Sequence, residues 1–484
     1  MPKHNEHLLR RTKIIATLGP ATDDPAVMEA LIREGVNLVR LNFSHGSHEE
    51  HQGRIELVRN TAKKCGLIVG ILADLQGPKI RVANFKSKKI ELKNGDDFVL
   101  DASLDADAGT QASVGIDYKE LPDDVTKDDV LLLDDGRITL IVERVNGPKI
   151  HCKVQVGGEL SNHKGINRKG GGLSAKALTD KDKDDIAFIH QMDVDYVAIS
   201  FPRSAEDVNE ARQLIDHHNG TVGIIAKIER AEAVENIDEI IIASDGVMVA
   251  RGDLAVEIGD AEVPLVQKQI IKRARTLDKP VIIATQMMES MIHSTVPTRA
   301  EVSDVANGVL ENADAVMLSA ETAVGDNPII VVQAMSRVCL TAEKQPRSQL
   351  SHHRMESQFE RVDEAIAMAT MYTANHLDIQ AVITLTESGG TSLWMSRIRT
   401  AMPIYGLSRF KRALGRMSLY RGVYPIHFDV TKYTRDEINR EAVKTMKDLH
   451  VLEESDLVVL TKGDHLGEGG GTNAMKILRV GQVV

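Results

Sequence analysis

The chain is expected to be an α/β protein: a (β/α)8 TIM barrel with an inserted small β-barrel lid domain and a C-terminal open α/β domain. Three observations predict this. Short β-branched apolar runs alternate with helical patterns through the first 340 or so of its 484 residues, which implies parallel strands joined by right-handed crossovers. The runs are nearly continuously apolar, as strands buried on both faces are. There are eight of them, the number that closes a barrel.

The eight runs fall at 12–18, 37–41, 69–74, 196–201, 223–228, 246–250, 280–285 and 313–318. Helical patterns lie between most of them, at 25–34, 49–63, 205–216, 263–277 and 299–311, and a last one follows at 328–342. The third unit is interrupted. KKIELKNGDDFVLD, DDVLLLDDGRITLIVERV and GPKIHCKVQVGGEL alternate apolar and polar residues around turns such as Asn94-Gly95, Asp135-Gly136 and Asn146-Gly147, which marks short β-hairpins. An insertion after a barrel strand sits on the active-site face, so these hairpins predict a lid. The barrel is expected over 1–79 and 175–343, the lid over 80–174 and the C-terminal domain over 344–484. A polar stretch, EKQPRSQLSHHRMESQFERVD, reads as a linker. Beyond it strands at 381–385, 403–407, 423–428 and 456–460 alternate with helices around 393–400, 409–417 and 435–449.

Composition excludes several function classes. Apolar residues at 42% and charged residues at 27% are ordinary globular values, and the length predicts about two to four domains. No apolar window is long enough to cross a membrane, and the basic N-terminus lacks the apolar core of a signal peptide. Cys65, Cys152 and Cys339 are far apart and form no CxxC pair, which suits a reducing cytoplasm and argues against structural zinc. The net charge of −11 argues against nucleic-acid binding, and 3% aromatics leave few stacking platforms.

In a barrel of this type the chemistry sits at the C-terminal strand ends. Strand two ends in LVRLNFSHG, with Arg40, Asn42, Ser44 and His45. Strand three ends at Asp74, strand four in AISFPR. Strand five ends in AKIER, with Lys227 and Glu229, strand six in VARGDLAVE, with Arg251, Asp253 and Glu257. Strand seven ends in ATQMMES, with Thr285 and Gln286, strand eight in MLSAET, with Ser319, Glu321 and Thr322. Any one polar strand end only marks where solvent begins; seven on one rim form a site. Lys227 and Glu229 are two apart on one strand and share a face. Glu229 and Asp253 lie on neighbouring strands, and two carboxylates without a cysteine or histidine cluster suit magnesium or manganese. A plain salt bridge from Lys227 to either carboxylate is the simpler alternative. Arg40, Lys227 and a divalent ion together would clamp a transferring phosphoryl group. No GxxxxGK[ST] loop is present, so any nucleotide is held differently from a P-loop enzyme.

LVRLNFSHG, GPKIR, the Asp134–Gly136 DDG, AKIE, VARGDLAVEIG, ATQMMESM, PTRAEVSDVANGVLENADAVMLSAET and GTNAMKI resemble, in order and over nearly the whole chain, the pyruvate kinase family. The resemblance implies transfer of phosphate from phosphoenolpyruvate to ADP, giving pyruvate and ATP. It implies that Glu229 and Asp253 hold the magnesium, that Lys227 and Arg40 steady the phosphoryl group, and that Ala250, Arg251 and Gly252 bind the substrate carboxylate through backbone amides. Thr285, with Ser319, would relay a proton to the enolate through water. Asn42, His45, Arg81 and Lys181 match positions around the ADP phosphates, and Asp135 matches a lid acid. For His45 a loop hydrogen bond is an equal alternative. A homotetramer is also implied. Ala255, Arg230 and Ala320 depart from the family's frequent residues, but none carries an assigned chemical role.

In the C-terminal domain, TLTESGGTSL places a Ser/Gly/Thr loop at a helix N-terminus, where anions bind. N-capping by Thr391 or Ser392 is the simpler reading. The resemblance makes Thr386, Ser388, Gly390 and Thr391 candidates for the phosphate of an allosteric activator, a sugar phosphate or AMP, with the loop GDHLGEGGGTN closing over it.

The stretch ADLQGPKIRV, residues 73–82, carries a further expectation. Many relatives resemble DTKGPEIR and need potassium, held by groups matching Asn42, Ser44 and Asp74. Here Lys79 stands where they have glutamate, and a tethered ammonium can replace the ion. No potassium requirement is expected. Two alternative functions are enolate chemistry in a related lyase or aldolase barrel, opposed by the lid and Arg81, and non-catalytic metabolite sensing, opposed by the intact Lys227, Glu229, Asp253 and Thr285.

Overall fold

The computed structural model describes residues 9–78, 80–217, 221–345, 358–464 and 471–482. Eight parallel strands close on themselves: Lys13–Thr17, Leu38–Asn42, Gly70–Asp74, Tyr196–Ile199, Gly223–Ile228, Gly246–Ala250, Val281–Ala284 and Ala315–Leu318. Each pairs with the next, and the eighth returns to the first through Lys13 opposite Ala315. All five residues of the first, third and sixth strands are buried. Their outward residues, such as Ile14, Ile71 and Val249, form one core with the surrounding helices. Their inward residues, such as Ile15, Leu72 and Met248, fill the barrel.

Between the third and fourth strands the chain leaves the barrel. It builds a six-stranded sheet, from Asp97–Asp101 to Ile166–Arg168, and a two-stranded ladder of Lys89–Leu92 with Gly158–Ser161. These strands enclose their own core around Phe98, Leu131 and Ile150. The exit turn is set at Gly77. Its φ of +67° is open to glycine, and a Cβ there would stand 2.6 Å from the Ser200 Cβ.

The C-terminal sheet runs in the order Val423–His427, Ile404–Ser408, Ala381–Leu385, Leu457–Gly463, Thr472–Arg479. The last strand is antiparallel to its neighbour. The sequence predicts no strand there, only the loop that ends at Asn473. The glycines before it and its largely exposed pattern conceal an edge strand. This domain packs on the barrel base, at the N-terminal strand ends. Leu414, Met417 and Tyr420 join the core inside the barrel, and Tyr196 Oη donates to the Arg416 carbonyl at 2.9 Å. Gly70 permits this approach, since a Cβ would lie 2.3 Å from Ser418 Oγ. The lid and the C-terminal domain therefore occupy opposite ends of the barrel. Most of the expected linker, 346–357, lies outside the described residues. No described helix is long and apolar enough to cross a membrane.

Candidate active site

Lys227 stands at the centre of the rim. Its Nζ lies 2.9 Å from Glu229 Oε1 and 3.3 Å from Asp74 Oδ1, and it donates to Ser200 Oγ at 2.8 Å. Ser200 Oγ passes its own proton to the Leu75 carbonyl at 2.7 Å, which leaves its lone pair for the ammonium. On the far side of Asp74, Arg40 Nε bonds Oδ2 at 2.6 Å and Nη1 reaches Thr17 Oγ1 at 3.2 Å. The salt bridge weighed from the sequence is thus present, within a wider network of two cations and two buried carboxylates.

Burial shapes the charges here. Asp74 would be pushed up by burial, but Lys227 and then Arg40 more than offset this and hold its carboxyl below the usual range. Lys227 would be pushed down by burial, yet Asp74 and Glu229 raise it, so it stays an ammonium. Glu229 is pushed up to about 7, first by burial and then by Asp253, against the pull of Lys227. Its Oε2 accepts the Phe201 amide at 2.8 Å, while Oε1 accepts no hydrogen bond of regular geometry. An oxygen that is buried, under-satisfied and next to a second carboxylate fits a hard divalent cation. Among the described residues no group of three or more histidine, cysteine or acidic side chains could hold a metal.

The sixth strand, Gly246–Ala250, runs straight into the helix Arg251–Ile258, with Ala250 at its N-cap. That junction carries Ala250, Arg251 and Gly252 at the start of the helix. The Gly252 amide donates to Thr285 Oγ1 at 2.9 Å, and Thr285 Oγ1 donates to the Ala284 carbonyl at 2.6 Å. Arg251 points away from these amides, with Nη1 2.7 Å from Asp304 and Nη2 2.6 Å from the Thr285 carbonyl. Thr285, Gln286 and Phe201 all have φ between +55° and +68°, strain of the kind that collects at functional sites. Ser319 ends the eighth strand, and its amide donates to Glu321 at 2.6 Å.

A cleft separates lid and rim, lined by Arg81, Asp135, Asp253 and Glu257 among others. Asp134 is held there by Lys164 at 2.7 Å. At the mouth, Lys181 Nζ bonds Asp185 at 2.6 Å and the Phe43 carbonyl at 2.8 Å. The 42–48 loop carries Asn42, whose Oδ1 accepts the Ser44 amide at 3.1 Å, and exposed His45, whose carbonyl faces His51 Nε2 at 3.0 Å. Lys79 lies outside the described residues.

Thr17, Ser200 and Lys164 belong to this site but were absent from the sequence reading. The hydroxyls end the first and fourth strands, and asking for a polar residue at every strand end would have found them. Glu257 was named without a role. It is buried, accepts the Ala231 amide at 2.9 Å and is pushed up to about 7 by burial. Arg230, a departure from the family pattern, is buried against the Phe201 ring and bonds the Leu173 carbonyl at 2.9 Å, joining rim to lid.

In the C-terminal loop the capping expectation is corrected. Thr386 Oγ1 accepts the Gly389 amide at 3.0 Å and Ser388 Oγ the Gly390 amide at 3.3 Å. Thr391 Oγ1 instead meets Thr472 Oγ1 at 2.7 Å, and Ser392 Oγ is buried without a partner. Gly389, with φ +86°, is the N-cap of Gly390–Ser396, so the residues beyond it already lie inside the helix. Most of the stretch expected to close over it, GDHLGEGGGTN, lies outside the described residues, at 465–470.

A lidded barrel whose rim gathers an ammonium, a guanidinium and buried carboxylates suits an enzyme acting on an anionic substrate. Comparison with known proteins narrows the class. The pyruvate kinase barrel domain matches residues 9–332 and the pyruvate kinase alpha/beta domain residues 364–478. Pyruvate kinase II of Salmonella typhimurium is 55% identical over 478 residues, 98% of this chain and 99% of its own. The pyruvate kinase of Haemophilus influenzae is 53% identical over 478 residues, with the same coverage. That of Geobacillus stearothermophilus is 43% identical over 473 residues, 97% of this chain and 80% of its own. The chain belongs to the pyruvate kinase family, a family of phosphotransferases.

Proposed function

We propose that the chain transfers the phosphoryl group of phosphoenolpyruvate to ADP, giving pyruvate and ATP. The observation that carries this reading is the Lys227 ammonium set between Asp74, Glu229 and Ser200, with Arg40 beyond Asp74. Phosphoryl transfer needs little covalent help from a protein, mainly fixed positive charge and positioning. The P–O bond to the enol oxygen breaks, a P–O bond to an ADP oxygen forms, and the enolate takes a proton at carbon.

Glu229 and Asp253 would hold magnesium or manganese, which when bound neutralises charge on the phosphoryl oxygens and the enolate. Lys227 and Arg40 fix the phosphoryl oxygens. The amides of Ala250, Arg251 and Gly252 orient the substrate carboxylate at a helix N-terminus. Thr285 Oγ1, with Ser319, positions a water that protonates the enolate; threonine is itself too weak an acid. Asn42, His45, Arg81 and Lys181 surround the nucleotide phosphates, and Asp135 closes from the lid. Lys79, which lies outside the described residues, would supply the positive charge that potassium-dependent relatives take from an ion held by groups matching Asn42, Ser44 and Asp74. A coupled assay of ATP formation tests the reaction: product from phosphoenolpyruvate and ADP supports it, and its absence overturns it.

Regulation belongs to the C-terminal loop. Thr386, Ser388, Gly390 and Thr391 receive the phosphate of a sugar phosphate or AMP, which raises substrate affinity. Unchanged phosphoenolpyruvate affinity with glucose 6-phosphate, ribose 5-phosphate, fructose 1,6-bisphosphate and AMP would sink this. Three free thiols suit the cytoplasm, and exposed Leu265, Val296 and Val302 suit burial in a homotetramer. The working units are the barrel (1–79 and 175–343), the lid (80–174) and the effector domain (344–484).

A further inference from the structure

At the mouth of the cleft, Lys181 sits where a helix does not favour it. It lies in the first turn of the helix Asp180–Gln191, where the macrodipole opposes a cation. Its ion-pair partner, Asp185, follows it by four residues, the less favourable order for such a pair. Helix stability therefore does not explain the pairing. Asp185 is 1% exposed, and a carboxylate so buried is tolerated only when paired and hydrogen-bonded. Its Oδ2 accepts from Lys181 Nζ at 2.6 Å. Its Oδ1 accepts from His48 Nε2 at 2.8 Å, which places the imidazole proton on Nε2.

The cradle around the lysine is assembled from three parts of the chain. His48 opens the helix His48–Cys65, and its ring stacks on Phe188 at 4.2 Å and 6°. Lys181 Nζ makes its second hydrogen bond to the Phe43 carbonyl at 2.8 Å. Phe43 is buried and its ring stacks on His51 at 4.2 Å. It follows the second strand directly, in the loop that also carries Ser44 and His45. An ammonium has three protons. Two are directed to Asp185 and Phe43, and among the described residues no other group takes the third. The lysine side chain remains 48% exposed, so it is oriented without being hidden.

We propose that His48 and Asp185 are positioning residues for the nucleotide: Asp185, fixed by His48, holds the Lys181 ammonium where it meets the ADP phosphates. The inference rests on the proposed placement of those phosphates at Lys181. A loose lysine loses rotamer freedom when a ligand orders it. Here folding has already ordered it, which is worth about three- to tenfold in nucleotide affinity. Phosphoenolpyruvate, held at Lys227 and Arg40, does not sense the difference.

The experiment uses the full chain with magnesium. ADP affinity is read by calorimetry, and kinetic constants by ATP formation, for wild type, Lys181→Met, Asp185→Asn and the double variant. Asp185→Asn should weaken ADP binding about three- to tenfold, raise KM for ADP alike, and leave kcat and KM for phosphoenolpyruvate within about twofold. In the Lys181→Met background the same substitution should change nothing, because its effect passes through the lysine. His48→Ala should weaken ADP binding in the same direction, and His48→Gln, whose amide can donate in place of Nε2, should restore it. That pair decides the matter if Asp185→Asn does not fold. An equal effect of Asp185→Asn with and without Lys181 marks a merely structural tie and overturns the proposal. So does unchanged or tighter ADP binding, or a KM for phosphoenolpyruvate that rises as much. Wild-type ADP affinity in Lys181→Met instead overturns the placement of the nucleotide at Lys181, and this proposal with it.

Discussion

Lys227 Nζ sits 2.9 Å from Glu229 Oε1 across the floor of the rim. The contact holds a fixed positive charge beside a metal-competent carboxylate, both nearly removed from water. Replacing the lysine therefore has two separable consequences. Lys227→Met removes the charge aimed at the phosphoryl group, so kcat should fall by at least about 10²–10³-fold. It also leaves Asp74 and Glu229 buried without their shared cation, which costs about 3–5 kcal/mol. A native circular-dichroism spectrum with a lowered denaturant midpoint and lost turnover is the expected outcome. Turnover within tenfold of wild type would remove Lys227 from the mechanism.

Glu257 should make folding stability depend on pH. Its carboxyl titrates at about 7 when folded, against 4.5 unperturbed, because burial opposes the charge. Between these values the folded chain holds a proton that the unfolded chain has released. Stability from this group therefore declines as pH rises from about 4.5 to about 7, by at most about 3 kcal/mol. Glu257→Gln keeps an oxygen for the Ala231 amide and removes the titration. Denaturant unfolding at pH 5, 6 and 7.5 should show the variant gaining on wild type as pH rises. A constant difference would contradict this.

Thr285 should matter more to protonation than to phosphoryl transfer. Its hydroxyl is fixed between the Gly252 amide and the Ala284 carbonyl. Thr285→Ala should lower kcat by about 10²-fold. It should slow the exchange of pyruvate methyl protons with solvent by a similar factor. Exchange at the wild-type rate would assign the proton relay elsewhere.

Lys79 should make the enzyme independent of potassium. Wild type is expected to show full activity in potassium-free buffer, and Lys79→Glu to need added potassium. A several-fold rise in wild-type activity on adding potassium would refute the tethered-cation reading.

The barrel was legible because buried parallel strands are apolar nearly throughout, and the runs ending at Asp74, Ile228 and Ala250 could be read directly. The lid was legible from the switch to alternation and from Asn-Gly turns. Thr17 and Ser200 were overlooked because a lone hydroxyl after an apolar run looks like any solvent boundary. Their role comes from reaching Arg40 and Lys227 across strands. The final strand, Thr472–Arg479, was hidden because an exposed edge needs little apolar patterning. The contact between His48 and Asp185 joins residues 137 positions apart, and no local pattern links residues so far apart.

The central claim is that Glu229 and Asp253 bring a divalent ion to phosphoenolpyruvate beside Lys227. It is tested most directly by the steady-state rate of ATP formation from phosphoenolpyruvate and ADP, measured for wild type and Glu229→Gln across a magnesium titration. The account predicts ATP and pyruvate in equal amounts from wild type, full loss of activity with EDTA, and recovery with magnesium or manganese. It predicts a rate at least about 10²-fold lower for the variant at saturating magnesium. Wild-type rates from Glu229→Gln, or wild-type turnover that persists in EDTA, would contradict it.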